Sequence, residues 1–495
     1  MMVERDSSAT EQARGEDPEA RRKATPGVPT GIEGLDFILD GGIPAGQPTL
    51  LRGGPGSGKT AIALTFFCYG LGQGEPSVLA TFDESPEALT RHAEALGFPL
   101  RQYLDQGQGR ILDMRPDRSE LIAGEALELT ALLARIGHAL DALGANRLVL
   151  DAIDGMDESF RLDNSLRAEL TRVFEWIRER DTTTLITSGE ETDFSRRYGL
   201  EEYIADCVIL LKQELKQRRM TRLLRILKRR GGGHGTNEFP FLLDQEGVFL
   251  SPVTGTRLEA RPSSERHSTG IAGLDTMLGG GGPYRGSALM LSGQSGTGKT
   301  TFAAAFADAA CRAGDQVLYL SFEEATEELL RNQRSVGLEL SEHLEPHGSG
   351  RLVFEPLLAV ELGWEEHLLR VMRAVQSQQP AVVVLDPASA LGDPSEDQQG
   401  KEMLLRLFYM LKRQGVTVLA TELLPDYSGG VSTMDVSSII DVWIKLIRAE
   451  DDGNLHRLLN LVKARGLPTS DEIQEFYLTA DGVRITEPSR KGRQY

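Results

Sequence analysis

Residues 53–60 read GGPGSGKT, and residues 293–300 read GQSGTGKT. Both fit G-x-x-x-x-G-K-[ST] in full, and each stands between a β-branched apolar run and an amphipathic helical stretch. For the first copy these are Pro48–Leu51 and Ala61–Leu71. Glycines let successive backbone N–H groups close around phosphate oxygens, and the helix N-terminus adds the positive end of its dipole. The candidate ATP-binding residues are therefore Gly54, Pro55, Gly56, Ser57, Gly58, Lys59 and Thr60, with Gln294, Ser295, Gly296, Thr297, Gly298, Lys299 and Thr300 in the second copy. Lys59 and Lys299 are expected on the β/γ-phosphates, and the Thr60 and Thr300 hydroxyls on Mg²⁺.

The loop is one element of a longer repeat. Gly31–Asp36 (GIEGLD) returns as Gly270–Asp275 (GIAGLD), Lys59 as Lys299, and Phe82-Asp83-Glu84 as Phe322-Glu323-Glu324. Leu148–Asp151 returns as Val383–Asp386 and Lys228–Gly231 as Lys463–Gly466. Five elements in one order at offsets of 235–240 residues make the chain a duplicated domain. The expected organisation is a disordered segment over 1–24, domains over 25–256 and 257–486, and a short tail over 487–495. The boundary lies in SPVTGTRLEARPSSER, a stretch of linker composition.

Within each half short apolar runs alternate with helical stretches. In the first, Arg147–Leu150 is followed by Leu166–Glu179 and then Thr183–Thr187. That alternation predicts an α/β fold with two tandem P-loop domains, each a mainly parallel sheet with flanking helices. Each half should close on antiparallel hairpins, such as Cys207–Lys212 with Arg222–Leu227.

Asp151 and Asp386 each end an apolar strand, where a carboxylate can hold the shell of a Mg²⁺ ion; the bland alternative is a turn Asp that caps a strand. Asp83 with Glu84, and Glu323 with Glu324, follow the runs Ser77–Phe82 and Gln316–Phe322. A carboxylate there can orient or deprotonate a nucleophile, so all four are candidate catalytic residues. The alternative is a solvated acidic start to a helix. Asp83 is one methylene shorter than Glu323, and a base misplaced by about 1 Å costs on the order of 100-fold in rate, so the two sites should differ kinetically.

Composition narrows the class. The chain has 495 residues, 54 Lys and Arg against 73 Asp and Glu, and a formal charge of −19. That balance argues against a general nucleic-acid binder. Cys68, Cys207 and Cys311 are three scattered cysteines inside apolar stretches, read as buried reduced thiols. No secretory h-region and no apolar run near the roughly 20 residues of a membrane span are present, so a cytoplasmic protein without membrane contact is expected.

These motifs together resemble the KaiC family, two-domain circadian-clock ATPases of the RecA superfamily, over about residues 25–486. Arg197–Glu202 (RYGLEE) and Lys228–His234 (KRRGGGH) add to the likeness in the first half. The resemblance implies a double-ring homohexamer with ATP and Mg²⁺ between subunits, Asp83 or Glu323 acting on the nucleophile, and Lys228, Arg230, His234, Lys463 and Arg465 reaching ATP in trans. It also implies that the second ring phosphorylates itself on adjacent hydroxyl residues three positions before an Asp. Ser437-Ser438-Ile-Ile-Asp441 fits that pattern, whereas the first half has Tyr203-Ile204-Ala205-Asp206. A phosphate at either serine would put about two negative charges near Asp441.

The chain departs from the family at Asp83 for Glu, at Ser-Ser for Ser-Thr, at Gly466–Thr469 for want of a histidine, and in a short C-terminal tail, so a KaiA-type activator is not expected. The leading reading is an ATP-hydrolysing ring with Ser autokinase activity in signalling or timing, with unidentified signalling proteins as further partners. A non-kinase ATP-driven switch or scaffold comes next. A RecA-type DNA-dependent ATPase is third, disfavoured by charge and by the missing DNA-binding motif.

Overall fold

The computed structural model describes residues 26–115, 129–156, 166–189, 205–216, 219–232, 235, 237–251, 263–357, 364–391, 398–424, 438–451, 454–468 and 472–486. The proposed disorder of 1–24, the 487–495 tail, Arg197–Glu202, His234 and Ser437 lie outside these residues. The chain divides into two compact units close to residue 252.

Each unit is built on a nine-stranded sheet. In the first the spatial order is Gly247–Leu250, Glu238–Asp244, Arg219–Arg229, Cys207–Lys216, Pro48–Gly53, Thr183–Gly189, Arg147–Asp151, Ser77–Thr81 and Gly109–Asp113. The second repeats that order in reverse notation, from Leu352–Pro356 through Val317–Ser321, Val382–Asp386, Thr417–Leu423, Ala288–Gly293, Val442–Asp451, Asn454–Ala464 and Gln474–Thr479 to Gly482–Ile485. In the first unit the five strands around the phosphate loop pair in parallel with one another, and Pro48–Gly53 pairs in parallel with Cys207–Lys216 on its other side. The closing hairpin Val442–Asp451 with Asn454–Ala464 is antiparallel.

Parallel strands are covered on both faces and read as continuous apolar runs. Pro48–Gly53, Arg147–Asp151, Ala288–Gly293 and Val382–Asp386 are accordingly buried along their whole length. Side chains alternate between the faces. In the first unit Val78, Ala80, Leu148 and Leu150 join the core beneath helices Leu129–Leu143 and Leu166–Glu179. The loop helix Lys59–Gly72 packs against strands Arg147–Asp151 and Thr183–Gly189 and lacks a wide polar face, with nine buried residues including Phe66 and Phe67. In the second unit the helix Lys299–Arg312 shares a core with Val317, Tyr319, Val382 and Val384.

Several boundaries move from the sequence expectation. The loop helix begins at Lys59, two residues before Ala61, because the turn that holds the lysine is already its N-terminus. The strands before the acidic pairs stop at Thr81 and Ser321, where the chain turns toward the site. The hairpin strand from Cys207 runs on to Lys216.

Candidate functional site

The phosphate loops leave the central strands and turn on two left-handed glycines. Gly56 and Gly58 have φ of 73° and 103°, Gly296 and Gly298 of 72° and 103°. A side chain is excluded at the strand exit as well: a Cβ on Gly293 would stand 2.6 Å from the Leu446 carbonyl oxygen, and one on Gly53 would stand 2.5 Å from Ser57 Oγ. These positions admit only glycine, which is why the motif needs it there.

Lysine is held over each loop from the first helical turn. Lys59 Nζ donates to the carbonyls of Gly53 (2.7 Å) and Gly54 (3.0 Å), and Lys299 Nζ to those of Gly293 and Gln294, both at 2.8 Å. Burial pushes the Lys299 ammonium below its ordinary value, while Asp386, Glu323 and Glu422 pull it back up. The second loop opens on a cavity of about 320 Å³, lined by Ser295, Gly296, Gly298, Lys299, Thr300, Thr301, Ser321, Glu323, Glu324, Gln333, Asp386, Pro387 and Leu423. Loop, threonine, strand-end aspartate and both acids therefore converge on one space.

Sheet register explains the convergence. Thr81 stands opposite Asp151 and Ser321 opposite Asp386, and Phe82 N and Phe322 N donate to the carbonyls of those aspartates. The acidic pair one and two residues on thus emerges beside the aspartate. In both units the first acid, Asp83 or Glu323, is exposed and the second, Glu84 or Glu324, half-buried. The backbone carbonyl of the second acid accepts from Thr81 Oγ1 (2.9 Å) or Ser321 Oγ (2.7 Å), which fixes the turn. Glu84 also meets His92 Nδ1 at 3.1 Å, and Glu324 receives Asn332 Nδ2 at 3.5 Å, so the same helical position offers a histidine in one unit and an amide in the other. Burial, then Asp386, raises the Glu324 carboxyl. Ser85 caps the following helix, Pro86–Ala95, by accepting from Ala88 N, so Asp83 and Glu84 stand before the helix and not in its first turn.

Asp151 is 2 % exposed, and that burial raises its carboxyl to about 6, with Glu84 and Asp83 adding to the rise and Thr187 and Lys59 opposing it. Thr187 Oγ1 donates to Asp151 Oδ1 at 2.7 Å. Asp386 receives both Thr421 Oγ1 and Tyr319 OH, the latter at 2.7 Å.

Lys228, Arg230, Lys463 and Arg465, read as trans contacts, lie beside the start of the strand that leads into each loop, at the opposite end from Lys59 and Lys299. Arg230 is more than half exposed and meets Asp206 Oδ1 at 3.2 Å; Arg178 takes the other oxygen at 2.9 Å. Lys228 and Lys463 are half-buried, and burial followed by the neighbouring Arg230 or Arg465 pushes each ammonium down. Arg465 is exposed, and its backbone N–H donates to the Asp441 carbonyl at 2.8 Å. Ser438 is exposed in the turn before strand Val442–Asp451. Asp441, three residues on, is gripped by Lys412 Nζ at 2.6 Å and by Ala288 N at 2.9 Å.

Sequence reasoning did not find Thr187, Thr421, Tyr319, His92 or Asn332. The two threonines carried a signal, since each follows a short apolar run at corresponding places in the repeat. All three cysteines are buried and free, and burial raises each thiol to about 12. No helix among the described residues is long and apolar enough to cross a membrane.

A glycine loop leaving a central parallel strand, with a strand-end aspartate two strands away, defines a RecA-like P-loop nucleotide-binding domain, and this chain carries it twice. The profile of the KaiC ATPase family matches residues 28–254 and again 267–490. The chain belongs to the KaiC ATPase family, and with it goes ATP as the bound nucleotide. It is 38 % identical over 464 residues to the circadian clock protein KaiC2 of Synechocystis sp. (strain ATCC 27184 / PCC 6803 / Kazusa), covering 93 % of this chain and 81 % of that one. KaiC3 of the same strain is 33 % identical over 468 residues, 93 % of this chain and 92 % of its own. The circadian clock oscillator protein KaiC of Synechococcus elongatus is 31 % identical over 468 residues, 93 % and 89 % respectively.

Proposed function

We propose that the chain is a cytoplasmic KaiC-like ring ATPase acting in timing or signalling, hydrolysing ATP at both loops and phosphorylating Ser437 or Ser438 at the second. The observation that carries this is the second cavity, where Lys299, Thr300, Glu323, Glu324 and Asp386 line one space of nucleotide-phosphate size. Names of the relatives support the timing role. Domain limits of 25–256 and 257–486 go with this reading.

The residues fit a magnesium ion: the Thr300 hydroxyl and Asp386 carboxylate, like Thr60 and Asp151, are hard oxygen donors few enough to leave room for phosphate and water. Bound there, the ion would neutralise charge on the β- and γ-phosphates. Glu323 or Asp83 takes the proton of the attacking hydroxyl as its oxygen bonds to the γ-phosphorus and the bond to the β–γ bridging oxygen breaks, releasing ADP. In the first unit the nucleophile is water; in the second a serine hydroxyl competes with it. Exposure of Ser438 supports an acceptor that must reach a reacting phosphate. Lys228, Arg230, His234, Lys463 and Arg465 are assigned to the neighbouring protomer's phosphates in a homohexamer, where a cation stabilises charge developing on the γ-phosphate.

The test is intact-mass spectrometry after incubation with Mg·ATP, beside Glu323→Gln and Ser437→Ala/Ser438→Ala. Phosphate on the wild type, absent from both variants, supports the kinase reading. Turnover of ATP with no added phosphate moves the conclusion to a non-kinase switch or scaffold.

A further inference from the structure

Among the buried positions outside the loop motifs at which the two sites differ, one touches the strand-end aspartate. On strand Val317–Ser321, Tyr319 is fully buried, and its hydroxyl donates to Asp386 Oδ2 at 2.7 Å. The register is what makes this reach possible. Tyr319 stands opposite Val384, so Asp386 lies two residues further along the neighbouring strand on the same face. Thr421 Oγ1, from the strand on the other side, donates to the second carboxylate oxygen, Oδ1. Asp386 is therefore clamped from both flanking strands.

In the first unit Leu79 stands opposite Val149, two residues short of Asp151, and has no hydroxyl to offer. Thr187 repeats the threonine half of the clamp, at 2.7 Å from Asp151 Oδ1, and among the described residues no tyrosine repeats the other half. The tyrosine is itself immobilised: its ring stacks on Phe354, with centroids 5.3 Å apart and planes at 24°. A buried phenol hydroxyl needs a hydrogen-bond partner, and Asp386 supplies it here.

We infer that Tyr319 is a positioning residue for the second site, holding the Asp386 carboxylate in the rotation that presents its remaining lone pairs to the metal–nucleotide complex over Lys299 and Thr300. This rests on the reading of the cavity as a Mg·ATP site. A carboxylate accepts at about four lone-pair positions. Two are taken by Tyr319 and Thr421, which fixes the direction of the other two. Partners that orient metal-binding groups in this way typically change metal affinity by about 10–100-fold when removed. Leu79 leaves Asp151 with one fewer constraint, so the first site should be the less demanding of the two in its metal geometry.

The test uses the full chain with Trp176→Phe and Trp364→Phe, leaving Trp443 as the donor; its indole N–H donates to Ser292 Oγ at 2.8 Å, one residue before the loop. Energy transfer to a methylanthraniloyl, non-hydrolysable ATP analogue is titrated in EDTA and at graded Mg²⁺, with Tyr319 intact, as Tyr319→Phe and as Tyr319→Leu. Thermal melting checks that each variant folds. The expected result is that Tyr319→Phe needs about tenfold more Mg²⁺ for the same tightening, while its affinity in EDTA stays within about twofold of the parent. An unchanged Mg²⁺ midpoint overturns the positioning role. So does an equal loss of affinity with and without Mg²⁺, which would make Tyr319 a prop for the cavity wall. A parent protein whose analogue binding ignores Mg²⁺ would instead bring down the Mg·ATP reading, and the inference with it.

Discussion

Replacing Asp151 by Asn should make the first domain more stable in the absence of nucleotide, and more so as pH rises. Asp151 is 2 % exposed, and burial raises its carboxyl from 3.8 to about 6. A folded-state value above the unfolded one means that the folded domain holds the proton longer. This contribution is favourable to folding below about pH 4, where both states are protonated. It is lost progressively as pH climbs through the folded value near 6. Two pKa units correspond to about 3 kcal/mol, an upper figure once local relaxation is allowed. Asn keeps an oxygen for Thr187 Oγ1, which donates to Asp151 Oδ1 at 2.7 Å, and removes the buried charge. The expected gain is therefore about 1–3 kcal/mol at pH 8 and close to zero at pH 4, with ATP hydrolysis at this site lost. Urea unfolding without nucleotide or metal, followed by Trp176 emission in a Trp364→Phe/Trp443→Phe background, measures it. An Asn variant less stable than the parent at pH 8, or a difference that does not vary with pH, would refute the reasoning.

Other outcomes follow from the same geometry. Gly298→Ala places a side chain at φ of 103° with its Cβ 3.3 Å from Leu478, and should cost about 1–3 kcal/mol while weakening nucleotide binding at the second loop; calorimetry of nucleotide binding and of unfolding reads both. Ala152, which follows the aspartate with φ of 58°, should become more comfortable as glycine, a gain of about 0.5–1 kcal/mol in denaturant titration. Asp83→Glu restores the reach of Glu323 and should raise turnover at the first loop by about tenfold, measured in a Lys299→Ala background; no change would mean that the exposed first acid is not the base.

Much of this architecture can be read from the residues in order. The glycines at 56, 58, 296 and 298 take backbone angles that other residues resist, so their spacing alone announces the loops. Asp151 and Asp386 are legible because each closes a fully buried, largely apolar run. Helix Leu166–Glu179 keeps its sequence limits because its amphipathic pattern stops where the chain turns at Asp181. The clamp on Asp386 is a different matter. Tyr319 and Thr421 stand 67 and 35 residues from it and meet it only through the register of three strands, which local pattern does not encode. A tyrosine in an apolar strand reads as core, and it is core; its hydroxyl acquires a role only from the neighbour's position. The pairing of Glu84 with His92 and of Glu324 with Asn332 is hidden for a similar reason, since it depends on how the turn after the strand aims the helix.

The most direct measurement is steady-state ATP turnover by the full chain beside Lys59→Ala, Lys299→Ala and the double variant. Each lysine is held over its loop by two carbonyls, so its loss should silence one site and spare the other. Two sites acting on ATP predict partial, unequal turnover in the single variants and none in the double. Full turnover in the double variant, or none in the wild type, would contradict the assignment of both loops as sites of ATP hydrolysis.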